Sequence, residues 1–221
     1  MATMRRVVLA TAMMGVLAGC ASGSASWSGK ANIAKISEVK PSFGPEFTVT
    51  DVREAAIDPK LLSSRKLPAG LKFDPANCAK AALGPEMPPD LQGNMAAVTA
   101  EGNGNRYVVL AVETSKSLPD NDPGKGCAKV AFAGPQLRGA VEAIDAPHID
   151  GTHTSGIHRV LQAVYGTAAR TGELYDYTAQ FGVYQVIVIA NPLVIPHQPV
   201  AKVDTGRARD LLVKAVTAVR S

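Results

Sequence analysis

Residues 94–114 read NMAAVTAEGNGNRYVVLAVET. At their centre, Asn103-Gly104 is the pair that a two-residue type I′ turn demands, because both central residues need positive φ. Placing the turn there sets the pairing of everything on either side of it. Glu101 then opposes Arg106, Ala100 opposes Tyr107, Val98 opposes Val109, and Met95 opposes Val112. Opposite charges meet at the mouth and apolar residues meet beyond it, which is the pattern of an antiparallel hairpin. A one-residue slip would separate the charges and turn Val98 and Val109 to the opposite face. From the turn chemistry alone, Gly104→Val should cost about 1–3 kcal/mol while Gly104→Asn is tolerated.

Working outward, a second hairpin is expected with 173–180 and 183–190 flanking Phe181-Gly182. In its first arm Tyr175, Tyr177, Ala179 and Phe181 share one face, and Asp176, Thr178 and Gln180 share the other. In the second arm Val183, Ile187 and Ile189 oppose Tyr184, Val186 and Val188, so both faces are apolar, as in a central strand covered on each side. Strand patterns also occupy 47–52, 128–133, 139–144 and 156–165. Ile33, Ile36 and Val39, spaced by three, predict a short helix over 29–41. Asp74 and Pro75 predict a helix start, with Asp as cap and Pro at the first helical position, running toward Gly84-Pro85. Asp204 caps a last helix whose apolar stripe is Ala208, Leu211, Leu212, Ala215 and Val219. Residues 58–73 read as an irregular connection and 116–126 as a polar loop. The fold class is α+β: a twisted, mainly antiparallel sheet of six or seven strands, with helices near the N- and C-termini packed on one face.

The first nineteen residues belong to export. Arg5 and Arg6 precede an apolar run from Val7 to Leu17, too short to span a bilayer, which needs about 20 residues. The run ends in Leu17-Ala18-Gly19-Cys20, which resembles the lipobox of bacterial lipoproteins, in which the Cys is lipidated and the signal is cut just before it. The plainer reading is an ordinary secretory signal with an incidental Cys. The lipobox implies a lipidated Cys20 anchored to the cell membrane on its extracytoplasmic face, the bilayer being its first partner. The division that follows is a signal peptide over 1–19, a lipidated Cys and flexible tether over 20–28, and one domain over 29–221. Removing Arg5 and Arg6 leaves 21 Lys and Arg against 19 Asp and Glu, without the strongly basic face of a nucleic-acid binder.

Export favours disulfides. With Cys20 lipidated, Cys78 and Cys127 remain, and one pairing is open to them; the alternatives are two buried thiols or, less readily, a metal pair lacking His or Cys at ligand spacing. Closing that ring is worth roughly 4 kcal/mol.

Catalytic signatures are sparse. His148, His153 and His158 cluster with Asp145 and Asp150, but a step of five puts residues on opposite faces of a strand, and solvated loop histidines are the default. Asp120-Asn121-Asp122 begins like a calcium loop, yet Lys125 stands where Gly is required. There is no Gly-x-Ser-x-Gly and no His-Glu-x-x-His, so no catalytic, metal or cofactor site is expected and an enzyme is the third reading. The remaining site candidates are Tyr107, Tyr175, Tyr177, Phe181 and Tyr184. Together they could line a face for an apolar or amphipathic ligand, or they could be the bulky part of an Ala/Val core.

Three stretches together with 94–114 resemble an uncharacterised family of mycobacterial and related actinobacterial lipoproteins. They are SEVKPSFGPEF at 37–47, FDPANC at 73–78 and DTGRARDLL at 204–212. The strand order, the Cys near a helix start and the terminal helix are similar, more distantly, to the extracellular sensor domains of PknH-type kinases. The resemblance implies an envelope-facing domain of unknown function, ligand-binding or sensor-like, for an envelope lipid, glycan or protein. A structural or interaction module without a small ligand is the alternative, and the size of any apolar cavity discriminates between them.

Overall fold

The computed structural model describes residues 27, 29–57, 68–86, 88, 90–119, 122–165 and 168–221. The expected signal peptide, Cys20 and most of the expected tether lie outside them, as do Asp120 and Asn121 of the calcium-like run. The hairpin forms as its turn chemistry dictates. Strands β3 (Gly93–Gly102) and β4 (Asn105–Thr114) pair in the expected register, Glu101 with Arg106 through Met95 with Val112. Asn103 and Gly104 both take positive φ, +49° and +73°, and Arg106 Nε reaches Glu101 at 2.6 Å.

The sheet has nine strands rather than six or seven. The remaining seven are β1 (Phe47–Ala56), β2 (Lys72–Asp74), β5 (Lys129–Ala133), β6 (Leu137–Ile144), β7 (His153–Tyr165), β8 (Ala168–Phe181) and β9 (Tyr184–Pro192). They lie side by side as β1-β3-β4-β9-β8-β7-β6-β5-β2, every neighbour antiparallel. Eight of the nine coincide with strand patterns in the sequence, and the ninth, β2, has none. Three residues show no period-two pattern, and its place is set by backbone pairing of Phe73 with Phe132 across to β5. Asp74 is therefore the end of a strand and caps nothing; Pro75 precedes a single 3-10 turn, Ala76–Cys78, without a side-chain cap.

Helices cover both faces of the sheet. Ile33, Ile36 and Val39 form one buried line because Ile33–Ser42 is a 3-10 helix, whose three residues per turn stack every third side chain. It packs with the C-terminal helix on one face, and Asn32 N–H donates to the Val219 carbonyl at 2.8 Å. The short helix α1 (Ala79–Leu83) follows Cys78, and Cys78 is joined to Cys127. The C-terminal helix α2 (Thr205–Arg220) is capped by Asp204, whose Oδ1 accepts from Arg207 N–H at 2.9 Å. Its expected stripe is buried, with Val216 and Ala218 added.

The sheet pairings run without a shift from β4 to β5. Val109, Val188, Tyr177 and Gly156 thus share a face under α2, while Ile157, Val141 and Val130 point the other way. The second core, Cys78, Ala82, Val130, Phe132 and Val141, lies on that opposite face beneath α1. Packing on one face alone is corrected accordingly: a single sheet carries two cores.

Candidate functional site

Four of the five aromatic candidates are interior. Tyr107 is 1% exposed, Tyr177 2%, Phe181 3% and Tyr184 8%, and all belong to the core under α2. Their hydroxyls find polar ends at its margin: Tyr107 donates to the Asp204 carbonyl at 3.3 Å and Tyr184 to Glu113 Oε1 at 3.0 Å. Burial, with the nearby Asp204 charge, pushes Tyr107 up to about 12. Burial likewise raises Tyr177 and, with Glu113, Tyr184.

Tyr175 is the exception. It sits at the margin of that core, where α2 stops covering the sheet. Its ring stacks on His158, the residue opposite it on β7, with centroids 4.3 Å apart and planes 12° from parallel. Glu173 Oε1 accepts from the Tyr175 hydroxyl at 2.8 Å and lies 2.9 Å from His158 Nε2. Burial, reinforced by Glu173, pushes Tyr175 up to about 12. His158 is thus no loop histidine. It stands mid-strand, on the face opposite to that of His153, while His148 is exposed in a loop beside Asp150. Among the described residues no three metal-ligating side chains converge.

Sequence reasoning missed Glu173 as partner of this pair because the β7–β8 register has no tight-turn signature to fix it. It missed Trp27 and Arg220 as well. Trp27 packs edge-on against Phe181 and Tyr184, at 5.2 and 6.0 Å. The Arg220 guanidinium lies 4.4 Å from the Phe181 centroid and 5.2 Å from that of Trp27, and donates to the carbonyls of Asp150 and Gly151. Burial lowers its pKa. The chain at Trp27 is therefore clamped to the β8–β9 turn end of the sheet.

Four cavities among the described residues are small or open. One of about 130 Å³ sits beside the disulfide, lined by Ala81, Cys127, Val141 and Ile157 among others. Grooves of 400 to 620 Å³ lie open on the surface, and none of these cavities is lined by the five aromatic candidates.

Residues 32–220 match a domain of unknown function, DUF5642. The chain belongs to the DUF5642 family. An X-ray structure of an uncharacterised Mycobacterium smegmatis protein, an Rv0999 ortholog, is 57% identical and superposes with a TM-score of 0.82, over 87% of this chain and 98% of that one. The extracellular domain of PknH from Mycobacterium tuberculosis aligns over 88% of this chain and 99% of its own, at 13% identity and a TM-score of 0.37, a likeness too slight to argue from. No curated protein matches. The DUF5642 domain therefore arrives with a shared architecture and no assigned chemistry. Among its described residues no helix is long and apolar enough to cross a membrane.

Proposed function

We propose that this DUF5642 chain is a lipoprotein, anchored through Cys20 to the extracytoplasmic face of the cell membrane, whose domain recognises its partner through its surface. The role is one of recognition rather than catalysis. The observation that carries the reading is the fate of the aromatics: Tyr107, Tyr177, Phe181 and Tyr184 fill the core and line none of the cavities. Of these, the one of about 130 Å³ is well below the roughly 300–1,000 Å³ of small-molecule sites, and the 400 to 620 Å³ grooves are open at the surface. This favours the interaction module over a domain that encloses an apolar ligand.

Lys, Arg and acid are nearly balanced outside the export segment, which suits a protein partner better than nucleic acid. The clamp of Trp27 onto Phe181 and Tyr184 supports an anchored orientation, because Cys20 lies only seven residues earlier and holds that end of the domain toward the bilayer.

Two measurements test this. Cys20→Ala should move the protein from the carbonate-washed membrane fraction to soluble or unprocessed material; a variant that still pellets removes the lipid anchor from the reading. Native mass spectrometry of protein taken gently from its membrane should show no stoichiometric small molecule on the domain. A retained lipid or glycan at one per chain would replace surface recognition by ligand carriage.

A further inference from the structure

We propose that the unpaired edge of β8 over residues 168–174 receives one extended segment of a partner polypeptide as an added strand. The inference rests on the surface-recognition reading and names where on the surface it acts.

Strand β8 is held on one side along almost its whole length, from the Tyr165–Ala168 pair to the His153–Gln180 pair with β7. On the other side β9 pairs with it only from Phe181–Tyr184 to Tyr175–Ala190. Beyond Ala190, β9 stays with β4 as far as Pro192–Asn105, and Leu193 N–H donates to the Gly104 carbonyl at 2.8 Å. That bond ties the chain to the β3–β4 turn, with no backbone pairing to β8 beyond Ala190 among the described residues.

In an antiparallel strand alternate residues turn their N–H and C=O groups to alternate sides. Over 168–174 the outward set has no backbone partner among the described residues. Among the described residues, 169–172 are exposed, and the sheet face at Gly172 is open, since a Cβ built there meets nothing within 4 Å.

The two outer edges of the sheet are guarded in the ways that discourage strand addition. Along β1 the register shifts between Val52 and Ala55, with Asp51, Arg53 and Glu54 exposed there. At the other edge β2 is only three residues long. Residues 168–174 have neither a register shift nor a proline.

The shape of the lane beside this edge selects its occupant. A second copy offering its own β8 edge would bring its β7 one strand further over. That β7 would fall on the Asn103–Gly104 turn and on the chain packed against it, where a Cβ on Gly104 would already lie 2.6 Å from the Ala201 Cβ. A lone strand, with nothing on its far side, fits. Its chemistry follows from the side chains it would meet. Arg170, exposed and without an ion-pair partner among the described residues, calls for an acidic residue opposite. At the same end of the sheet Val194, Ile195 and Val200 are 74%, 42% and 58% exposed, a shelf for apolar side chains. At about 3.3 Å per residue the lane lies roughly 23–43 Å along β8 from Phe181, where Trp27 is clamped, so an anchored domain points it away from the bilayer.

The test is selection of linear nonamers from a random display library against the protein purified as its host makes it. Recovered sequences should alternate apolar and polar residues around an acidic one. A synthetic copy should slow amide exchange in 168–174 and not elsewhere in the sheet. N-methylation of one alternate set of its residues should abolish binding, while methylation of the other set leaves it intact. Arg170→Glu should weaken the acidic peptide by about tenfold and favour its Lys counterpart, with the melting temperature unchanged. Binders that protect a different surface overturn the β8 assignment and leave surface recognition standing. Equal effects of the two methylated sets, a library without binders, or protection of 168–174 that rises with protein concentration and no peptide also overturn it, the last by giving the edge to a second copy. A stoichiometric small molecule in the mass-spectrometric experiment instead defeats the reading beneath it.

Discussion

Gly104 shows how tertiary packing revises a local rule. The type I′ turn admits Asn as well as Gly, yet a Cβ at Gly104 would sit 2.6 Å from the Ala201 Cβ, a side chain too short to swing aside. Gly104→Asn should therefore lose stability along with Gly104→Val, by about 1–3 kcal/mol. Ala201→Gly in the same chain should restore most of the loss for Asn and less for Val, whose β-branch still resists positive φ. Thermal melts of the four variants decide it; Gly104→Asn melting with the parent would mean that the 193–201 chain is not seated on the turn. Tyr107 makes a second prediction at this scale. Its folded-state pKa, about 12, stands above the ordinary phenol value of 10.0, so the folded chain favours the protonated form. The associated stability is complete below pH 10 and is lost as pH climbs toward 12. Tyr107→Phe should flatten that decline in denaturant midpoints measured from pH 9 to 12, leaving the part due to Tyr175, Tyr177 and Tyr184. Parallel curves for variant and parent would refute it.

Among the elements, the hairpin β3–β4 and helix α2 were legible because both carry a period tied to burial. Charges and apolar pairs alternate across the hairpin, and α2 repeats its stripe at steps of three and four. The second hairpin was placed to within a residue: its turn is Gly182-Val183 rather than Phe181-Gly182, and β8 begins at Ala168, five residues earlier than expected. Three-residue spacing in Ile33, Ile36 and Val39 announced a helix and also, in retrospect, its 3-10 form. The cysteines act at this scale too, since the Cys78–Cys127 bond ties the turn before α1 to the strand entry of β5. Peptide mapping without reductant should recover the one linked pair. The double variant Cys78→Ala, Cys127→Ala should lose about 2–4 kcal/mol. Labelling of both thiols in the folded, exported protein would reject the bond.

At the scale of the molecule, the first and last described residues are brought together. Trp27, Phe181 and Arg220 form one cluster from the first described residue, the β8–β9 hairpin and the last turn of α2. Trp27 is the single tryptophan, so its emission reports on this closure alone. Arg220→Ala should shift that emission to the red and cost about 1–3 kcal/mol, because the carbonyls of Asp150 and Gly151 lose their donors as the rings lose the cation. Unchanged emission would place Trp27 outside the cluster. The sequence by itself determined the α+β class, the register of the first hairpin and the stripe of the last helix. Each of these is written in side chains close in sequence, whereas the Cys78–Cys127 bond was an expectation that the structure bears out. Only the tertiary structure decided that β1 and β2, consecutive in the chain, lie on opposite edges of one sheet, that the tyrosines turn inward, and that β9 parts from β8 at Ala190. Those outcomes depend on which backbones bond to which across long stretches of chain, and every residue carries the same backbone carbonyl and, proline apart, the same N–H, so they leave no mark in the pattern of side chains.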